Sequence, residues 1–103
     1  MGLDAYIYKI EEEGETLVQY YCKNNQLQGF FEEHYDQENC EYTDITVEVC
    51  DKLMEANLRV TEGFFYGGFM MDKEQREEMN KLFMMIKDDI TRNEAEYKYY
   101  CWY

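Results

Sequence analysis

Apolar and polar positions along the chain change their period several times, and each change marks an element. LDAYIYKI (residues 3–10) and TLVQYYC (16–22) are rich in β-branched and aromatic residues, and EEEGE between them sets a glycine in a charged run. Two strands joined by a turn, a hairpin, are predicted there. In NNQLQGFFEEHY the residues Leu27, Phe30, Phe31 and Tyr35 recur at helical spacing. Gly29 opposes that helix by about 1 kcal/mol relative to alanine.

TVEVCDKLMEAN (46–57) is a clearer helix. Thr46 or Asp44 caps it, Val49, Leu53 and Ala56 form an apolar stripe, and Asn57 is a stop signal. LRVTEGFFYGGFM (58–70) reads as one or two strands bending at Gly67-Gly68, where a glycine pair permits positive φ or a bulge. Asp72 stands three residues before Gln75, as in a capping box. It opens the strongest pattern, in which Met79, Leu82, Phe83, Ile86 and Ile90 follow steps of three and four and Arg92 and Asn93 close the helix. EYKYYCWY (96–103) predicts a last strand, with Tyr97, Tyr99, Cys101 and Tyr103 on one face and Lys98, Tyr100 and Trp102 on the other. The order ββ-α-α-β(β)-α-β predicts an α+β fold in one small domain over residues 1–103. Its antiparallel sheet has about four or five strands, with two or three helices packed on one face.

Composition supports a folded chain. Eleven Tyr, six Phe and one Trp in 103 residues exclude a disordered polymer, and there is no proline. No apolar run approaches the roughly 20 residues of a membrane span. The first residues lack the basic and apolar regions of a signal peptide, and Tyr6 stands where N-myristoylation needs Ser or Thr. A cytoplasmic protein is expected, with its cysteines (22, 40, 50 and 101) reduced.

Charge changes the picture most. The net charge is −13, and residues 11–55 hold thirteen acids against Lys23 and Lys52. Between residues 32 and 55 stand Glu32, Glu33, Asp36, Glu38, Glu41, Asp44, Glu48, Asp51 and Glu55, with Lys52 as the one cation. Like charges so placed destabilise a compact state unless something outside the chain attracts them. With residues 44–57 helical, Asp44, Glu48, Asp51 and Glu55 share one face, neighbours about 5–6 Å apart. Phosphates along a nucleic-acid strand have a similar spacing, so such a row fits a groove lined with Lys and Arg. The plainer reading is a solvated acidic helix that keeps the chain soluble. Cation binding is a third, without the D-x-D-x-D-G spacing of a calcium loop. A chain this acidic is repelled by nucleic acid and by anionic membranes, so direct binding to either is not expected.

Other chemistry is thinly supported. His34, Cys40 and Cys50 lack the paired spacing of a zinc site, so no metal or cofactor is expected. G-K-[ST] does not occur, and no nucleophile–base set can be assembled, so no catalytic residue and no enzymatic activity is expected. The aromatic segments build a core or, where exposed, anchor an interface.

Five segments, MGLDAYIY, YYCKNNQLQGFF, CEYTDIT, EGFFYGG and YYCWY, resemble in this order a family of small phage and prophage proteins. Its members open with Met-Gly-Leu-Asp and carry Gly-Phe-Phe-X-Gly before the last long helix. Some bear a phosphoglycerate kinase label, whose phosphate-binding elements this sequence lacks. The chain departs from the family at Tyr21-Cys22-Lys23, where members have Trp-Arg-Lys, and at Gln28, where they often have His. A role for that Arg or His has no counterpart here. The resemblance implies a phage setting, and phages encode many small acidic proteins that block host nucleases or transcription.

The expectation is therefore an acidic inhibitor of a host nucleic-acid-binding defence effector, anti-CRISPR-like, acting by nucleic-acid mimicry. Its partner-binding residues are Glu32, Glu33, Asp36, Asp44, Glu48, Asp51 and Glu55, with Tyr100 and Trp102 as apolar anchors. The alternative is a small-molecule or metabolite binding module with an aromatic and Met-lined pocket.

Overall fold

A computed structural model describes residues 3–22, 25–59 and 73–103. Within them the chain forms β1 (Asp4–Glu11), β2 (Gly14–Cys22), α1 (Asn25–Tyr35), β3 (Tyr42–Ile45), α2 (Val47–Arg59), α3 (Lys73–Asn93) and β4 (Glu96–Trp102). The strands make one antiparallel sheet in the order β2-β1-β4-β3. The expected α+β architecture is present, with its helices on one face of the sheet.

Alternation decides which face. Ala5, Ile7, Tyr97, Tyr99 and Cys101 are buried beneath the helices, and Ile45 joins them from β3. Each helix sends its apolar stripe inward: Leu27, Phe30 and Phe31 from α1, Val49, Cys50 and Leu53 from α2, and Met79, Phe83 and Ile86 from α3. Phe31 lies flat on Tyr99, ring centroids 3.9 Å apart and planes within 5°. Burial of such aromatics is the largest stabilising contribution available to a domain of this size.

Most polar groups inside the core are partnered, the exceptions among the described residues being Gln28 Nε2 and the Tyr35 hydroxyl. Tyr99 donates its hydroxyl to Gln28 Oε1 at 2.6 Å. Buried Gln37 donates to the Glu41 carbonyl at 2.6 Å and accepts from the Thr43 hydroxyl, which holds the α1–β3 connection against the sheet. Cys40 N donates to the Cys101 carbonyl at 2.9 Å. The same connection holds two residues in the left-handed region, Asp36 (φ 51°) and Cys40 (φ 63°). Glu94 (φ 54°) ends α3, its N–H on the Ile90 carbonyl, as a left-handed helix cap does.

Two elements differ from the sequence prediction. Strand β3 was absent from it: Tyr42–Ile45 is only four residues, and Asp44 and Thr46 read as helix caps. Thr46 is the cap, accepting from Val49 N at 3.3 Å, whereas Asp44 is paired with Lys98 in the β3–β4 register. Helix α2 also runs past Asn57 to Arg59, taking two residues from the strand expected over 58–70. The rest of that strand, with Gly67-Gly68, and the Asp72 cap lie outside the described residues.

Candidate functional site

The predicted row of four carboxylates on one helix does not form. Asp44 belongs to β3 and points away from the helices, where Lys98 Nζ sits 3.2 Å from it. Helix α2 carries the other three, and two of these are bridged within the protein. Glu48 pairs with Lys52 at 3.1 Å and Asp51 with Lys87 of α3 at 2.6 Å. Lys52 also lies over the Tyr35 ring, 5.6 Å from its centroid, which ties α1 to α2. Glu32 and Glu33 project from α1 into solvent, and Asp36 is exposed just beyond it. Glu32 is close enough to raise the Tyr99 and Tyr103 hydroxyls, adding to the larger effect of burial. The seven predicted carboxylates are thus spread over the helical side and the opposite sheet face.

A second concentration of charge is at the hairpin tip. Glu11, Glu12, Glu13 and Glu15 surround an open hollow at Gly14, and none of them is in an ion pair among the described residues. Gly14 has φ 130°, a conformation that a side chain strains, so this turn requires glycine.

The more ordered surface is the face of the sheet opposite the helices. The register sets Tyr20, Tyr6, Tyr100 and Tyr42 directly across from one another, one from each strand in the order β2-β1-β4-β3. Successive ring centroids are 5.2, 6.1 and 4.7 Å apart. Tyr8 adds a second tier, stacked on Tyr6 at 5.9 Å and reaching Tyr42 at 6.4 Å. Trp102 lies beyond the row on one side and Leu17 on the other, each more than half exposed. No described element covers this face.

Its charges are mostly negative. Asp4, Glu15, Asp44 and Glu96 stand on the same face as the row, and Asp4 accepts a hydrogen bond from Tyr20. That bond raises the Tyr20 hydroxyl, and a hydrogen bond with Cys40 raises Tyr100 to about 12. The one cation on this face among the described residues, Lys98, is held between Asp44 at 3.2 Å and Glu96 at 4.0 Å. Both predicted anchors, Tyr100 and Trp102, belong here. Sequence reading missed Tyr6, Tyr8, Tyr20 and Tyr42. The spacing of Tyr6 and Tyr8 by two was the available signal, but their neighbours depend on strand order.

Other chemistry is sparse. All four cysteines are free, and burial pushes the Cys50 thiol up to about 11, leaving little thiolate. His34 is exposed against Phe30, and among the described residues no group of His, Cys, Asp and Glu is placed to hold a metal ion. A groove of about 330 Å³ runs between β2 and α3, lined by Tyr20, Tyr21, Met79 and Leu82 together with Gln19, Gln75 and Glu78. No described helix is long and apolar enough to cross a membrane. No family model, curated protein or solved structure matches this chain.

Proposed function

We propose that this chain is a non-catalytic binding protein whose partner is a basic, nucleic-acid-binding protein. With the phage resemblance, the specific reading is an inhibitor of a host defence effector of the CRISPR type, acting in the host cytoplasm. The observation that carries it is charge without internal compensation. In a domain of net charge −13, Glu32 and Asp36 at α1 and the hairpin-tip glutamates have no cation beside them among the described residues. Self-repulsion of this kind is relieved when a basic groove supplies the counter-charge, and the same field speeds encounter.

The charged surface differs from the predicted one. Glu48 and Asp51 spend part of their charge on Lys52 and Lys87, so the emphasis moves to Glu32 and Asp36, with Glu33 adding its charge beside them on α1. Reversing these three to Lys is expected to abolish capture of the partner from host lysate at low salt. Reversing Glu48, Asp51 and Glu55 is expected to weaken it less. A true mimic is also displaced from its partner by duplex DNA or RNA. Capture that survives the α1 reversal and resists nucleic-acid competition sinks the reading. The metabolite-binding alternative rests on the β2–α3 groove, whose volume is at the lower end for ligand pockets. Its mark would be a small-molecule-dependent rise in melting temperature that Met79→Ala removes.

A further inference from the structure

We propose that the tyrosine-lined face of the sheet is a docking surface for an arginine-bearing segment of a partner polypeptide. This deepens the reading above, since it rests on the partner being basic, and it assigns the contact to a different surface from the α1 carboxylates.

Three observations converge. The row Tyr20-Tyr6-Tyr100-Tyr42 crosses every strand, so aromatic rings line the full width of the sheet, about 14 Å at ordinary strand spacing. Alternate side chains of an extended peptide repeat at about 6.8 Å, longer than the 4.7–6.1 Å steps between rings, so a peptide laid along the row sets about three side chains over its four rings. Carboxylates occupy the margins, and the single lysine is already held by Asp44 and Glu96. Guanidinium groups are the planar cations that satisfy both features. They stack on tyrosine faces while their N–H forks reach carboxylates, which an ammonium group does only as a point charge.

The same charges disfavour the other occupants. A second copy would bring another −13 to a face that already carries four carboxylates against one lysine. A nucleic acid would bring phosphates. A neutral apolar segment would leave the carboxylates desolvated beside it without a partner.

The test uses the full chain and three probes: a peptide of arginine alternating with glycine, its lysine counterpart, and an oligothymidylate. Affinities are measured at physiological salt by calorimetry. The arginine peptide is expected to bind about tenfold more tightly than the lysine peptide, because stacking adds to a shared charge attraction. Tyr42→Ser and Tyr100→Ser, each checked for an intact fold by amide NMR, are expected to reduce that ratio to about twofold or less while lysine-peptide binding holds. Equal binding of the two peptides, or a ratio indifferent to both substitutions, overturns the proposal. So does tighter binding of oligothymidylate than of the arginine peptide, or a dimer in sedimentation that Tyr100→Ser dissolves. The ratio is insensitive to net charge, so it separates the two readings. Reversal of Glu32, Glu33 and Asp36 is expected to leave it unchanged. If the ratio holds while that reversal fails to impair partner capture, the mimicry reading falls and the docking surface stands.

Discussion

Tyr99 and Tyr100 are consecutive residues of β4 and serve the molecule in opposite ways. Tyr99 is fully buried, stacked on Phe31 with its hydroxyl on Gln28, whereas Tyr100 lies in the open row between Tyr6 and Tyr42. The same division runs through the sheet. Tyr97 and Tyr99 go inward with a side-chain acceptor each, and Tyr6, Tyr8, Tyr20, Tyr42 and Tyr100 go outward. Both buried tyrosines among the described residues, Tyr97 and Tyr99, meet the requirement that a buried hydroxyl have a partner, whose absence costs about 1–3 kcal/mol, while half-buried Tyr35 bears that cost unpaired. Where no helix covers the sheet, that requirement disappears. Aromatic density alone therefore does not indicate burial.

Truncation separates the two tyrosines most. Tyr99→Ala removes the largest fully buried side chain and is expected to cost about 3–5 kcal/mol in urea unfolding. Tyr100→Ala loses cross-strand ring contacts and an exposed hydrogen bond with Cys40, and about 1 kcal/mol or less is expected. Comparable losses at the two positions would mean that the outer row is a second core.

A finer division separates ring from hydroxyl. Tyr99→Phe leaves Gln28 Oε1 buried without its donor, an expected cost of about 1–3 kcal/mol. Gln28 Nε2 is already buried without a partner, so the pair Tyr99→Phe with Gln28→Met leaves no stranded polar atom at these two positions and should recover most of that loss. A double-mutant cycle measures the coupling. Tyr100→Phe is expected to shift stability by no more than about 0.5 kcal/mol, as for surface positions generally. Additive effects of the Tyr99 and Gln28 substitutions would show that the buried hydrogen bond contributes nothing net.

How far the two faces were legible follows from the range of the interactions that make them. The hairpin, α1 and α3 depend on local periodicity, and Ile7, Phe31 and Phe83 went where alternation or helical spacing sends them. That Tyr97, Tyr99 and Cys101 share one face was legible for the same reason, whereas which face turns inward was not. Strand β3 was not, because four residues carry too little alternation and Asp44 has an equally good local reading as a cap. The carboxylate row failed with it, since placing Asp44 on a strand moves it to the other side of the sheet. The tyrosine row was beyond reach. It needs Tyr20, Tyr6, Tyr100 and Tyr42 brought into register by strand order, a long-range fact that no local pattern encodes. Lysine partners are similar: Lys87 is 36 residues from Asp51, and only the packing of α2 against α3 joins them.

A pH-dependent effect lies where the inner face reaches solvent, and it has a sign. Asp89 accepts from the Tyr97 hydroxyl at 2.5 Å and from Asn93 Nδ2 at 2.7 Å, and Lys9 Nζ lies 3.0 Å away. Those hydrogen bonds, Tyr97's the largest, hold its carboxyl down to about 2, against about 3.9 for an unperturbed aspartate. A group whose folded-state pKa is depressed stabilises the fold fully above the unfolded value and loses that contribution as pH falls through the folded one. The Asp89 contribution is therefore expected intact above about pH 4 and lost by about pH 2. Total stability is a poor readout, because protonating the many other carboxylates also relieves the repulsion of a chain at −13. The difference between the parent chain and Asp89→Asn cancels most of that background. That gap should be constant from neutral pH to about 4 and close below it. A gap independent of pH would mean that Asn preserves what Asp89 does, and that Lys9, Tyr97 and Asn93 need an acceptor at this position but no charge.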